Sequence, residues 1–175
     1  MIIVYNCYGG THSSILTSAV HLGYLPSDSI PSKKEILNTK YFNKLKYKDM
    51  GKLIFHGEDP DGNKVYTIGR GTSKALIPAM INQTIEIHKL YNFNEGFAYI
   101  NTSGTVPIAM TLGGFFSRAL KVDMIGVPLL ARGAQSSYQK VIELAQKTKQ
   151  LCKEKPDNCF IIDMNNKGQI STYNC

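Results

Sequence analysis

The pattern of apolar and polar positions divides the chain into short elements of alternating type. Residues 1–6 carry the unbroken apolar run Ile2-Ile3-Val4-Tyr5, which predicts a buried strand. After the turn Tyr8-Gly9-Gly10, the spacing of Ile15, Leu16, Ala19, Val20 and Leu22 predicts a helix from about Ser13 to Leu22, ended by Gly23. Ser32-Lys33-Lys34-Glu35 has the form of a capping box and predicts a short helix with Ile36 and Leu37 turned inward. Leu53–His56 and Lys64–Ile68 read as two strands joined through Asp59-Pro60-Asp61-Gly62-Asn63, a hairpin turn.

A helix is expected from about Lys74 to Leu90, with Pro78 restricting where its first turn lies. Phe97–Asn101 reads as a strand, and Pro107 is placed to open a helix reaching Leu120. Gly113-Gly114 inside that helix predicts a close backbone approach or a break. Val122–Val127 reads as a further strand, and Ser136–Lys153 as a long helix with Val141, Leu144, Ala145, Thr148, Leu151 and Cys152 in register. Phe160–Met164, a turn at 165–168 and Gln169–Tyr173 close the chain. There is no internal repeat and no low-complexity segment.

Strands that alternate with helices predict an α/β fold: a three-layer sandwich with a mainly parallel central sheet and an antiparallel hairpin, with residues 1–175 as a single domain. At 175 residues and 43% hydrophobic the chain suffices for one core. No apolar run reaches the ~20 residues of a membrane span, and the first residues read as a strand, not a basic leader. A cytoplasmic protein with no membrane partner is expected. Four cysteines without a CxxC pair suggest no zinc framework. Cys152 and Cys159 read as packing residues and Cys175 is the last residue, which leaves Cys7 as the thiol placed for chemistry.

In a parallel sheet every loop from strand to helix lies at one edge, where ligands bind. The expected loops here are Tyr8–Ser14, Gly69–Ser73, Thr102–Val106 and Ala131–Ser137. All four are rich in Gly, Ser and Thr, and two hold one of only three arginines, Arg70 and Arg132. Such loops also supply ordinary turn and cap residues. Two arginines beside glycines at one edge point further, to an anion site made from Gly9, Gly10, Thr11, Ser13, Ser14, Arg70, Thr72, Ser103 and Arg132. Glycine lets amides approach an anion, helix N-termini add partial positive charge, and arginine binds phosphate bidentately. Arg118, near a helix C-terminus, reads as structural.

Cys7 ends the first strand in front of a helix N-terminus, where a thiolate is favoured. There it can attack phosphorus, with His12 as general acid or base. Equally, Cys7 can be a buried residue closing a core strand. His21 and His88 fall on helices as surface or packing residues, whereas His56, before Gly57, can join a site. A Cys7, His12 and His56 metal site is conceivable, though no ligand spacing demands one, and no motif calls for a cofactor.

The loop from Cys7 to Ser14 resembles two anion cradles. In Cys7, Gly10, Ser13 and Ser14 it is similar to the phosphocysteine loop of sugar-phosphotransferase B subunits. It also resembles the Cys-x5-Arg-Ser loop of low-molecular-weight tyrosine phosphatases, except that Ser13 stands in the arginine position. Phosphatase activity would then need Arg70 or Arg132 to substitute in space. No Gly-Lys-Ser/Thr of a Walker A loop is present. Over nearly its full length the chain resembles an uncharacterised bacterial family, mainly from spore-forming Firmicutes and described only as a domain of unknown function. The likeness lies in IIVYNCYGGTHSSILTSAVHLGYLP, GEDPDGNKVYTIGRG and the segment from Gly113 to Arg118. It implies no activity, cofactor or partner.

The formal charge is +7, with seventeen lysines. Such a balance favours acidic partners, although most lysines read as solvated surface. Seven lysines fall between Lys33 and Lys52 among Tyr41, Phe42 and Tyr47, a segment suited to nucleic acid or to a lid over the anion site. Three functions therefore stay open: phosphoryl or phosphate-ester chemistry through Cys7, non-catalytic binding of a nucleotide or phosphorylated metabolite, and nucleic-acid binding through Lys33–Lys52.

Overall fold

The computed structural model describes residues 1–92, 94–120, 122–154 and 160–174. The unbroken apolar run at the start forms β1 (Ile2–Cys7), the central strand of one six-stranded sheet. β3 (Lys64–Gly69) and β4 (Phe97–Asn101) flank β1 and run parallel to it. β5 (Phe160–Met164) continues the parallel set beside β4. The edges are antiparallel: β2 (Ile54–Glu58) pairs β3 through the expected hairpin, and β6 (Ile170–Asn174) pairs β5. The order is β2-β3-β1-β4-β5-β6. The chain thus passes from β1 to one side and then crosses to the other, which makes the C-terminal end of β1 a topological switch point.

Alternation along β1 assigns its side chains to two cores. Ile3 and Tyr5 join Val65, Ala98, Ile100 and Ile162 against Leu22, Leu144 and Leu151. Leu22 caps α1 (Ser13–His21), and the two leucines belong to α6 (Tyr138–Lys153). Val4, Ile68, Tyr99 and Ile161 meet Ile77 and Ile81 of α3 (Leu76–Tyr91) on the opposite face. The result is the expected α/β arrangement with helices on both sides of a mainly parallel sheet. α2 (Lys33–Asn38) carries the full capping box: Ser32 Oγ accepts from Glu35 N–H at 3.2 Å, and Ser32 N–H donates to Glu35 at 2.7 Å.

His21 and His88 are packing residues. Tyr5 Oη lies 2.7 Å from His21 Nδ1, and Asp59 Oδ2 lies 2.9 Å from His21 Nε2, so α1 is tied to the hairpin turn. His88, on α3, lies 2.7 Å from the Thr84 carbonyl and 2.8 Å from that of Glu95. Cys152 is half-buried on α6, while Cys159 and Cys175 lie outside the described residues.

One element is corrected. Val122–Val127 is not a strand: α5 runs from Asp123 to Ser136, antiparallel to α4 (Ile108–Gly114). Glycines fix the pairing. A Cβ on Gly113 would fall 2.6 Å from Leu130 N, on Gly126 2.5 Å from Ser117 N, and on Gly133 2.6 Å from Met110 N. The close approach expected of Gly113 is therefore real, and the helix also changes to π-type winding over Phe115–Ala119. The side chain of Arg118, within that turn, lies outside the described residues.

Candidate functional site at the end of the central strand

The switch point opens into a cavity of about 770 Å³. Its polar floor is the Cys7 loop, with Gly9, Thr11, His12 and Ser13 lining it. Arg70 enters from the end of β3 and Ser103 from the turn after β4. Three of the four expected loops therefore meet.

The loop is shaped by its own backbone. Gly10 has φ +65°, and a Cβ there would lie 2.5 Å from the Gly69 nitrogen. Only glycine allows this approach of the loop to β3. The turn places the Gly10 N–H 3.2 Å from Cys7 Sγ, and Ser14 Oγ approaches the sulfur at 3.3 Å from the first turn of α1. Cys7 is 5% exposed. Ser13 Oγ lies 2.9 Å from Thr102 Oγ1, which donates to the Asn6 carbonyl at 3.1 Å. Arg70 N–H donates to the Cys7 carbonyl at 3.0 Å, and Arg70 Nη2 makes a long contact of 3.4 Å to Ser103 Oγ. The Arg70 Nε is buried with no partner among the described residues. An unpaired guanidinium nitrogen beside a cysteine loop suits an anion.

Four expected site residues are not in the lining: Gly10 and Ser14 are buried against the Cys7 sulfur, and Arg132 and Thr72 stand apart from the cavity. Arg132 stands exposed on α5, away from the cavity lining, because the segment read as a loop is helix. Thr72 is exposed in the turn before α3 and does not line the cavity. Of the two arginines expected to stand in for the one absent from the phosphatase-like loop, Arg70 lines the cavity and Arg132 does not.

His56 lines a separate cavity of about 470 Å³ with Tyr24, Glu35 and Lys40. A Cys7, His12 and His56 trio is therefore not assembled, and no group of three His, Cys, Asp or Glu residues is placed to hold a metal among the described residues. His56 Nε2 lies 2.9 Å from Thr67 Oγ1, and burial with the charge of Lys40 pushes its pKa down to about 4.

Several lining residues were not legible as such. The segment after α2 folds over the loop: Thr11 Oγ1 donates to the Tyr41 carbonyl at 3.1 Å, and Leu45 N–H donates to Thr11 Oγ1 at 3.2 Å. This brings Tyr47 and Met50 to the cavity wall. Tyr41 and Asn43 take left-handed backbone, φ 67° and 54°. Among the three aromatics of the basic segment Phe42 is in the core, Tyr41 packs edge-on to His56, and Tyr47 is 80% exposed. The remaining wall is apolar and comes from Val106, Met110 and Phe115, with Gly114 against the His12 ring. Asn43, among the basic residues, and Ser117 with Asp123, beyond the glycine pair, prove to orient His12. No sequence spacing links these three.

Fold and site together define an α/β protein with an open cavity at its topological switch point, floored by a cysteine loop. The chain belongs to the family described as Protein of unknown function (DUF3189), whose model matches residues 2–150. The family of unknown function expected from the sequence is thereby met. Neither the curated proteins nor the solved structures hold a match to the chain. No helix among the described residues is long and apolar enough to cross a membrane.

Proposed function

We propose that this protein binds phosphate esters over the Cys7 loop and transfers the phosphoryl group through Cys7. The observation that carries the reading is the Cys7 sulfur, held by the Gly10 N–H at 3.2 Å and the Ser14 hydroxyl at 3.3 Å in a cavity that Arg70 also lines. Both neighbours can donate to a thiolate and neither removes its nucleophilic lone pair.

In this mechanism the Cys7 thiolate attacks phosphorus as the ester P–O bond breaks. The leaving oxygen takes a proton from His12, which lines the same cavity and acts here as the imidazolium, leaving the ring neutral. Water then attacks the phosphocysteine, the P–S bond breaks with its electrons returning to sulfur, and His12 accepts the proton of the water. Arg70 and the loop amides stabilise charge on the phosphoryl oxygens. The free thiols of Cys7 and Cys152 suit a reducing compartment, and we place the protein in the cytoplasm.

The test combines a thermal-shift titration with a turnover assay. Inorganic phosphate and soluble phosphomonoesters are expected to raise the melting temperature, by ~2.7 kcal/mol of stabilisation at a hundred times the dissociation constant. Arg70→Gln should lose the shift. Cys7→Ala should bind without releasing phosphate, and full turnover by that variant overturns the mechanism. Binding without product in the native chain would instead define a sensing module.

A further inference from the structure

The cavity has a polar floor and an apolar side, and the apolar side does not stop at its mouth. Along α4 and the turn after it, residues advance by ~100° each. Met110, Thr111 and Gly114 face the cavity, while Ile108, Leu112 and Phe115 occupy the adjacent stripe. That stripe is in solvent: Ile108 is 80% exposed, and Leu112 and Phe115 are also exposed. Phe115 belongs to both surfaces, since it lines the cavity as well. An apolar ridge thus continues from the cavity wall at Phe115 along the exposed side of α4 to Ile108. Contiguous exposed apolar surface of this kind marks an interaction site.

The opposite rim has a different character. Tyr47 and Met50 line the cavity there, and Lys44, Lys46 and Lys48 beside them are exposed, on a chain of net charge +7. A ligand that satisfies every part of this mouth carries a phosphate for the floor, an apolar tail for Val106, Met110 and Phe115, and an anionic surround for the lysines. Resting on the phosphate-ester reading above, we infer that the ester is a lipid phosphate, taken from an anionic bilayer that the α4 ridge enters. The expectation of no membrane partner followed from the lack of a spanning segment, and peripheral contact needs none. An apolar wedge plus basic residues is the combination by which proteins bind anionic interfaces without crossing them.

The test is vesicle co-sedimentation of the full chain, run beside its thermal shift with inorganic phosphate. Three compositions are needed: phosphatidylcholine alone, phosphatidylcholine with phosphatidic acid, and phosphatidylcholine with phosphatidylserine matched in surface charge. The expected result is binding to phosphatidic acid vesicles roughly tenfold or more tighter than to phosphatidylserine vesicles, and none to phosphatidylcholine alone. The exposed double substitution Ile108→Ser with Leu112→Ser, shown to be folded by circular dichroism, is expected to abolish sedimentation. Arg70→Gln is expected to bring phosphatidic acid down to the phosphatidylserine level.

Equal binding to both anionic lipids means adsorption by charge alone and overturns the inference. So does a thermal shift with phosphate but no vesicle binding, which leaves the phosphate-ester reading standing. Absence of both responses fails that reading itself. A dimer in solution that the double substitution dissociates assigns the ridge to a second copy and also overturns the inference.

Discussion

His12 Nε2 meets Asn43 Oδ1 at 3.1 Å, and through Asn43 the imidazole is tied to the far helical hairpin. Asn43 Nδ2 donates to Ser117 Oγ at 3.0 Å, and Ser117 Oγ donates to the Asp123 carboxylate. The direction of this chain is fixed from its charged end. A carboxylate only accepts, so Ser117 must donate to it, and its oxygen is then the acceptor for the asparagine amide. The amide oxygen therefore faces His12, and the neutral ring carries its proton on Nε2.

Asn43→Gly tests this, because Asn43 has φ 54° and glycine keeps that backbone while removing the amide. In the native chain nitrogen-detected NMR should show His12 as the Nε2–H tautomer, and in Asn43→Gly a mixture. Turnover of a phosphomonoester is expected to fall about tenfold to a hundredfold, within what general acid–base catalysis contributes, with KM little changed. An unaltered tautomer would make the Asn43 contact incidental.

The loop conformation depends on two glycines that touch across strands. A Cβ on Gly69 would lie 2.8 Å from the Gly9 carbonyl, and Gly10 faces the same restriction from the other side. Gly69→Ala is expected to destabilise by about 2–4 kcal/mol, as overpacking against backbone does. Gly23 is the control: its φ is +74° but a Cβ there meets nothing, so Gly23→Asn should cost under ~1 kcal/mol. Urea midpoints for the two variants measure the difference, and similar midpoints would refute close packing of the loop on β3.

How far the sequence discloses this arrangement follows from the range of the interactions. β1, the hairpin and the capped α2 rest on neighbours within a few residues, and they read directly. The Cys7 loop reads because glycine, cysteine and serine are adjacent in sequence. The strand expected at Val122–Val127 failed because local β propensity competes with packing that only the partner helix reveals: Gly126 and Gly133 are seven apart, on one face of α5, and both press on the segment from Met110 to Ser117. Arg132 was misplaced by the same error. Asn43, Ser117 and Asp123 were invisible because their link joins residues as far as 74 positions apart.

Two buried groups, His21 and Asp59, and the half-buried His56 make stability fall in acid. His21 and His56 have pKa values held below the ordinary 6.5 by burial, His56 down to about 4. Asp59 is also lowered, burial being outweighed by its hydrogen bonds from Asn63 and His21. For each, the unfolded chain binds protons more readily, so stability is full above the unfolded pKa and falls as pH drops through the folded one. The melting temperature should be flat near pH 7.5 and decline between pH 6.5 and about 4. Asp163, raised by burial, works in the opposite sense at the acid end. His56→Asn removes one of the titrating groups, and its decline should be shallower. An identical pH profile for native chain and variant would exclude His56 from the effect.

Asn6 places an amide that is unpaired among the described residues in the core at the end of the central strand. It is 1% exposed, one residue before Cys7, and β-strand alternation turns it to the α3 face beside Ile68 and Asn101. Neither its amide nitrogen nor its amide oxygen has a partner among the described residues. An unpaired buried polar atom costs about 1–3 kcal/mol, and an apolar side chain of the same shape removes that cost. Asn6→Leu should therefore raise stability by about 1–2 kcal/mol, equivalent to roughly 2–8 °C in Tm for a chain of this size. Differential scanning calorimetry decides the point: a lower Tm for Asn6→Leu would mean that the amide is satisfied in solution and contributes to the fold.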